Sequence, residues 1–271
     1  MKLSEAFSIL IDLTYALKLA FLPTLIEIVK SPRLLFSPHN LSHLFFHNVW
    51  TLFGNGANQA SYSVKTELIS PNAHGVVLDL GAGHGHTVPY LSTSRVSKYV
   101  AIEPNVLMHP KIRDTAVRAG FSEESDTLII LSCGAEDVAT ISSALGGQHQ
   151  VDTIVSVLTL CSVPSPQRTI ERLVIDILKP GGQLLFYEHV ASKRRDVRWW
   201  QGFWSPLWKT FFDGCVLYRP TDDYIRHING IWEAFPTTDA SGRRTGIWAR
   251  DEDDIESLFW YQVGRLIKSK E

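Results

Sequence analysis

Residues 76–86, Val-Val-Leu-Asp-Leu-Gly-Ala-Gly-His-Gly-His, constrain the fold more than any other stretch of the chain. Val76 to Leu80 is short, apolar and β-branched, and glycine stops it at once, which predicts a buried strand. Gly81, Gly83 and Gly85 then make a turn suited to residues without a Cβ. Such a turn lets backbone N–H groups come close to a ligand. Asp79 sets a carboxylate inside the apolar strand, where burial is costly without a hydrogen-bonding partner. A polar partner at the strand end is expected.

From Val76 onward the pattern alternates. Strands are expected at 76–80, 99–103, 127–133, 151–157 and 183–189, and helices at 86–93, 110–119, 136–145 and 167–178. This is the pattern of an α/β chain with a mainly parallel sheet and helices on both faces. Ligands of such sheets lie outside the carboxyl ends of the strands. The second strand, Tyr99-Val-Ala-Ile-Glu103, ends there in an acid. Cys133-Gly-Ala-Glu-Asp137 follows the third strand, Leu158 and Thr159 follow the fourth, and Glu188 and His189 close the fifth.

Two cofactor classes use a glycine turn after the first strand. In the dinucleotide pattern G-x-G-x-x-G, Gly81 and Gly83 fit, but His86 stands where the third glycine belongs. The pattern Asp-x-Gly-x-Gly-x-Gly instead resembles the first motif of class I S-adenosylmethionine (SAM) methyltransferases. That resemblance implies a Rossmann-like, seven-stranded, mainly parallel sheet with an antiparallel last strand, and SAM as cofactor with S-adenosylhomocysteine as product. It places Asp79 near the methionine end and packs Gly81, Ala82, Gly83 and Gly85 under the cofactor. It sets Glu103, with the adjoining Pro104, at the ribose hydroxyls. Ala135 and Glu136 become adenine contacts, with Asp137 a further candidate, and Leu158 lies beside the cofactor. His84 and His86, in the turn itself, are placed to touch SAM. The plainer reading of the acids after the third strand is a helix start that favours the macrodipole.

Four stretches resemble one subgroup more closely, the methyltransferase-like 7 group, which includes alkyl thiol methyltransferases. They are Ile102-Glu-Pro-Asn105, Leu160-Cys-Ser-Val163, Lys179-Pro-Gly-Gly182 with Phe186-Tyr-Glu-His-Val190, and Phe212-Asp-Gly-Cys215 behind a tryptophan-rich segment. The likeness covers most of residues 70–230 and implies methyl transfer to a small apolar acceptor at a thiol sulfur or a hydroxyl oxygen. N- or C-methylation of a lipid-like or secondary metabolite is the alternative, as is a SAM-fold protein that transfers no methyl. His189 is the catalytic base candidate, since an imidazole titrates near operating pH. Glu188 is the candidate to orient it. Both side chains read nearly as well as holders of the strand end.

Residues 1–69 read as an N-terminal helical cap or membrane-interface segment, and 70–271 as the SAM-binding domain with an aromatic-rich insertion near 190–230. Residues 1–30 are apolar, but Asp12, Lys18 and Glu27 interrupt them and Pro23 is expected to kink a helix. No run reaches the roughly 18 uncharged apolar residues of a spanning helix. An interfacial anchor and a pair of capping helices remain, the cap being favoured. His39, His43 and His47 share one helical face, yet no cysteine or carboxylate joins them at useful spacing, so no metal is assigned. Gly54-Asn-Gly56 reads as a turn and 57–69 as a helix, in which Tyr62 either closes over the cofactor or packs. Trp200, Trp204, Trp208 and Phe211 fall on one helical face, either a pocket wall or a core helix. Trp232 and then Leu258–Ile267 read as the last two strands.

With 26 basic and 28 acidic residues the chain offers no electrostatic case for nucleic acid. Cys133, Cys161 and Cys215 cannot form a disulfide framework and have no C-x-x-C spacing, which argues against structural zinc. They suit a reducing compartment, so a cytoplasmic, small-molecule enzyme is expected, with peripheral membrane contact through residues 1–30 as an open alternative. Cys161, among Leu and Val, reads as a small core residue.

Overall fold

The computed structural model describes residues 1–228, 230–233, 238, 239, 241–250 and 253–270, with Leu52 described by its backbone alone. The chain opens with α1 (Leu3–Ala6), α2 (Ile9–Lys30), α3 (Pro38–Ala60) and α4 (Tyr62–Leu68). Then β1 (Gly75–Leu80), β2 (Val96–Ile102), α5 (His109–Arg118), β3 (Leu128–Leu131), α6 (Val138–Ala144) and β4 (Val151–Val157) follow. After them come α7 (Pro166–Arg172), β5 (Leu178–Val190), α8 (Arg195–Phe211), α9 (Thr221–Arg226), β6 (Gly246–Ala249) and β7 (Trp260–Ile267).

The seven strands lie in the order β3-β2-β1-β4-β5-β7-β6. β1 to β5 run parallel, and β7 is inserted antiparallel between β5 and β6. Alternate residues serve opposite faces, as the pleat requires. Leu78, Leu80, Val100, Ile154 and Phe186 pack under α6, α7 and α9, whereas Val77, Tyr99, Val155, Leu185 and Val263 pack under α4 and α5. The order reverses direction between β1 and β4, so the crevice lies at their carboxyl ends.

A third apolar cluster sits outside the sheet. Ile9, Leu13, Ala16 and Ala20 of α2 and Val49 of α3 meet Trp208 and Phe212 at the end of α8, with Trp200, Trp204 and Phe211 partly buried against them. Trp208 and Phe212 stack at 3.6 Å, and the Trp204 indole donates to the Ala6 carbonyl at 2.6 Å. The face of α8 that sequence periodicity singles out is therefore packed core. The opposite side is not. Trp199 and Phe203 are 61% and 54% exposed, and α2 presents Ile11, Phe21, Leu22 and Val29 outward.

Several local expectations are corrected. No α-helix forms at 86–93; a single 3-10 turn at Val88–Tyr90 replaces it, because the Thr87 hydroxyl is held by Asp79 and the chain must turn into β2 at once. Gly54-Asn-Gly56 lies inside α3 rather than in a turn. A Cβ at Gly54 would approach Trp50 and His86 at 3.0 and 3.1 Å, so the glycine permits a close approach. α2 is one helix running through Pro23, and Leu3–Lys30 is long and apolar enough to cross a membrane by length and composition alone. Trp232 makes only an isolated bridge to Lys268, and the penultimate strand is β6. The expected helix at 167–178 loosens toward its end: α7 ends at Arg172, a wider turn spans Leu173–Ile177, and Lys179 to Gly182 bulge out of β5.

Candidate active site

At the end of β1 both oxygens of Asp79 are engaged. Thr87 Oγ1 donates to Oδ1 at 3.0 Å and the Tyr99 hydroxyl donates to Oδ2 at 2.7 Å. Complete burial still pushes the Asp79 pKa up to about 6, against those two bonds and the charge of Lys65. Lys65 is itself buried, which lowers its pKa to about 8, and it donates to the Asn58 side chain and the His86 carbonyl. Sequence reading finds Asp79 but not Lys65, because a lysine on a short helix normally reads as a solvated charge.

Gly81, Gly83 and Gly85 take φ of +61°, +55° and +76°, the left-handed region where only glycine is unstrained. A Cβ at Gly81 would lie 2.6 Å from Thr159, and one at Gly83 would lie 2.7 Å from the Trp50 indole nitrogen. The turn is thus roofed by α3 and flanked by the segment after β4. Glu103 clamps it: the Gly83 amide donates to Oε2 at 2.8 Å and the Asn105 amide to Oε1 at 2.9 Å. Burial pushes the Glu103 pKa up to about 7, with the like charges of Asp213 and Asp79 adding to it. Asn105 also donates to the His43 carbonyl at 2.9 Å, tying α3 to the end of β2.

Leu158 holds φ +55°, an unfavourable conformation for a branched side chain, immediately beyond β4. Its neighbour Thr159 donates its hydroxyl to the Leu80 carbonyl at 2.8 Å. The fully buried Glu188 carboxylate accepts from the Ser156 hydroxyl at 2.7 Å and from the Thr159 and Leu160 amides. These bonds fix the β4 segment, and they occupy the carboxylate that sequence reading offers to His189. His189 instead sets Nε2 at 3.2 Å from Cys215 Sγ. Ala135 is buried against Leu80 and Ile102, whereas Glu136 and Pro104 are exposed. Asp137 caps α6 through Thr140.

His84 and His86 are held neutral, burial lowering each pKa to about 4. The rings of His47 and His84 stand 5.7 Å apart, and those of Trp50 and His86 6.3 Å apart. Buried nitrogens of all four (His47 Nδ1, Trp50 Nε1, His84 Nε2, His86 Nε2) have no hydrogen-bond partner. Unpaired buried polar groups are rare. Four of them around a glycine cradle fit a polar ligand such as SAM, whose methionine end carries a carboxylate. Trp50 was not legible as a site residue, since only the packing of α3 on the turn brings it there. His43 lies 3.9 Å from Asp213 and packs on His39, so these two histidines are spent on contacts within the fold, whereas His47 of the same helical face turns toward His84. Among the described residues, the cysteines and histidines that do converge are Cys161, His189 and Cys215.

Known proteins share parts of this design. Human thiol S-methyltransferase TMT1B is 43% identical over 72 residues, covering 26% of this chain and 29% of that protein. The match thus spans less than a third of the curated relative's length. Among solved structures, an O-methyltransferase family protein from Burkholderia thailandensis superposes with a TM-score of 0.57 at 15% identity, covering 86% of this chain and 60% of the other. The YcgJ protein of Bacillus subtilis gives 0.54 at 13%, covering 79% and 99%. At such identities these two show a shared fold. A methyltransferase-domain family matches residues 57–222, more than half of the chain and the whole of the glycine cradle, β2 and β4. The chain therefore belongs to that methyltransferase-domain family.

Proposed function

We propose that the chain transfers the methyl group of SAM to the sulfur of a small apolar thiol. The observation that carries this reading is the 43% identity over 72 residues with a thiol S-methyltransferase. The apolar surroundings at the carboxyl ends of β4 and β5, including Trp208 and Phe212, support it. SAM, when bound, supplies an electrophilic methyl on a cationic sulfur.

Asp79, Gly81, Ala82, Gly83, Gly85, Glu103, Pro104, Ala135, Glu136 and Leu158 hold the cofactor in this reading. Glu103 keeps lone pairs for ribose hydroxyls after accepting from Gly83 and Asn105, since a carboxylate has about four acceptor sites. Glu188 is a positioning residue that fixes Thr159 and Leu160, and His189 faces the acceptor. The helices of residues 1–69 act as a lid over the glycine turn, excluding water from the transfer. The outward apolar side of α2 continues through the rings of Phe7, Trp200 and Trp199 to Phe203, and it rests on a membrane surface. An apolar thiol would partition into the same interface.

Methyl transfer from isotope-labelled SAM to a panel of alkyl thiols, phenols and amines, with products identified by mass, tests the reading. A labelled thioether is expected. Labelling of phenols or amines alone would overturn the thiol assignment.

A further inference from the structure

Cys161 follows β4, His189 ends β5, and Cys215 lies in the bend after α8. Their two sulfurs and a ring nitrogen all lie within 4.8 Å of one another, and all three residues are buried. The cysteines are separated by 54 positions, so no spacing motif announces them. His189 directs Nε2 at Cys215 Sγ and leaves Nδ1 with no hydrogen-bond partner. Cys161 Sγ has only long contacts otherwise, 3.6 Å to the Leu158 carbonyl and 3.8 Å to the Ser162 hydroxyl. Trp208, Phe212 and Phe259 wall the group off, with the Phe259 ring edge-on to His189 at 5.7 Å. Apolar packing alone has no use for two thiols and an imidazole converging in this way.

We propose that Cys161, His189 and Cys215 form a three-ligand site for a zinc-type divalent cation whose fourth position takes the acceptor's sulfur. Two thiolates and an imidazole are a donor set that borderline-soft cations prefer over magnesium or calcium. Three protein ligands with one open position is the arrangement of catalytic rather than structural zinc. Cys161 and His189 stand at the carboxyl ends of β4 and β5, the ligand-binding edge of the sheet, and Cys215 reaches them from the bend after α8. The assignment of the fourth position rests on the thiol reading above; the three-ligand site does not.

The protons and electrons balance. Metal binding releases one proton from each cysteine, and a coordinating acceptor thiol loses its own to solvent. The acceptor's lone pair then forms the sulfur–methyl bond while the methyl–sulfonium bond breaks, its electron pair staying on S-adenosylhomocysteine. The product is a neutral thioether, a weaker ligand than the thiolate, and it leaves.

The test uses the full chain, reduced and stripped with a chelator, then titrated with Co²⁺ as an optical probe and with Zn²⁺ in competition. About one equivalent should bind with a thiolate-to-cobalt charge-transfer band and a tetrahedral spectrum. Cys161→Ser, Cys215→Ser and His189→Asn should each weaken binding by at least about tenfold, whereas Cys133→Ser should keep it. Circular dichroism identifies which variants are folded, and any one folded ligand variant suffices. A folded, reduced wild type that gives no charge-transfer band overturns the site. Adding 1-hexanethiol, and not 1-hexanol, should shift the cobalt spectrum. A band unmoved by the thiol keeps the three-ligand site and overturns the open position. Cobalt bound normally in a protein that methylates no thiol keeps the site and overturns the thiol reading instead.

Discussion

The Gly83 amide donates to Glu103 Oε2 at 2.8 Å, so the acid that closes β2 also fixes the glycine turn after β1. The glycine cradle and the carboxylate proposed to hold the ribose form one unit. Glu103→Ala should therefore weaken SAM binding by at least about a hundredfold, losing the sugar contact and loosening the turn together, with Glu103→Gln intermediate. Calorimetric titration with S-adenosylhomocysteine measures this, and unchanged affinity in Glu103→Ala removes the assignment.

The same carboxyl group sets a pH dependence. Its pKa is raised from 4.5 to about 7, with burial the first cause. A native state that holds the proton more tightly than the unfolded chain loses stability as pH rises through that range. His84 and His86, depressed to about 4, act oppositely over much of the same range, so wild type must be compared with Glu103→Gln. Without cofactor, the stability difference should move in favour of the glutamine variant between about pH 4.5 and 7. The shift should be on the order of 3 kcal/mol and flat above pH 7. Denaturant midpoints across that range test it, and a pH-independent difference contradicts it.

Glu188 accepts from Ser156, Thr159 and Leu160 with no exposed surface. Glu188→Gln replaces one acceptor oxygen by a donor that faces amide donors, and should cost about 2–3 kcal/mol. SAM affinity should fall with it, while the pH profile of kcat in the surviving folded fraction stays that of wild type. A changed pH profile would return Glu188 to the chemistry.

Ile11 and Leu22 lie outward on α2, 74% and 61% exposed. Ile11→Glu with Leu22→Glu should lower binding to phosphatidylcholine vesicles by about tenfold or more, since each change removes buried apolar area and adds a charge at the interface. S-adenosylhomocysteine binding should be unaltered. Equal vesicle binding by wild type and variant would leave the α2 surface without this role.

Legibility followed the range of the interactions involved. The strand–turn unit at Val76 to Gly85 and the acid of β2 are written in consecutive residues, and local pattern suffices to place them. The helix expected at 86–93 fails because its register is overridden by one side-chain bond, from Thr87 to Asp79. Gly54 looked like a turn residue because the reason for it, contact with His86, lies 32 positions away. Trp50 over Gly83 and the convergence of Cys161, His189 and Cys215 are equally non-local, set by helix docking and by strand order. Leu158 is expected just after β4 by position, but its left-handed backbone could not be foreseen from a leucine.

The place of β7 has a consequence for biosynthesis. The edge of β5 stays open until Trp260–Ile267 has been made, about 70 residues after Val190. At ~5–20 residues per second a nascent chain carries that unpaired edge for on the order of ten seconds. Phe186 waits meanwhile for its strand partner Gly264, whose lack of a Cβ leaves room for the ring. The domain should thus reach its native state only once Trp260–Ile267 has been made, and its half-made form is a natural client for chaperones that shield open sheet edges.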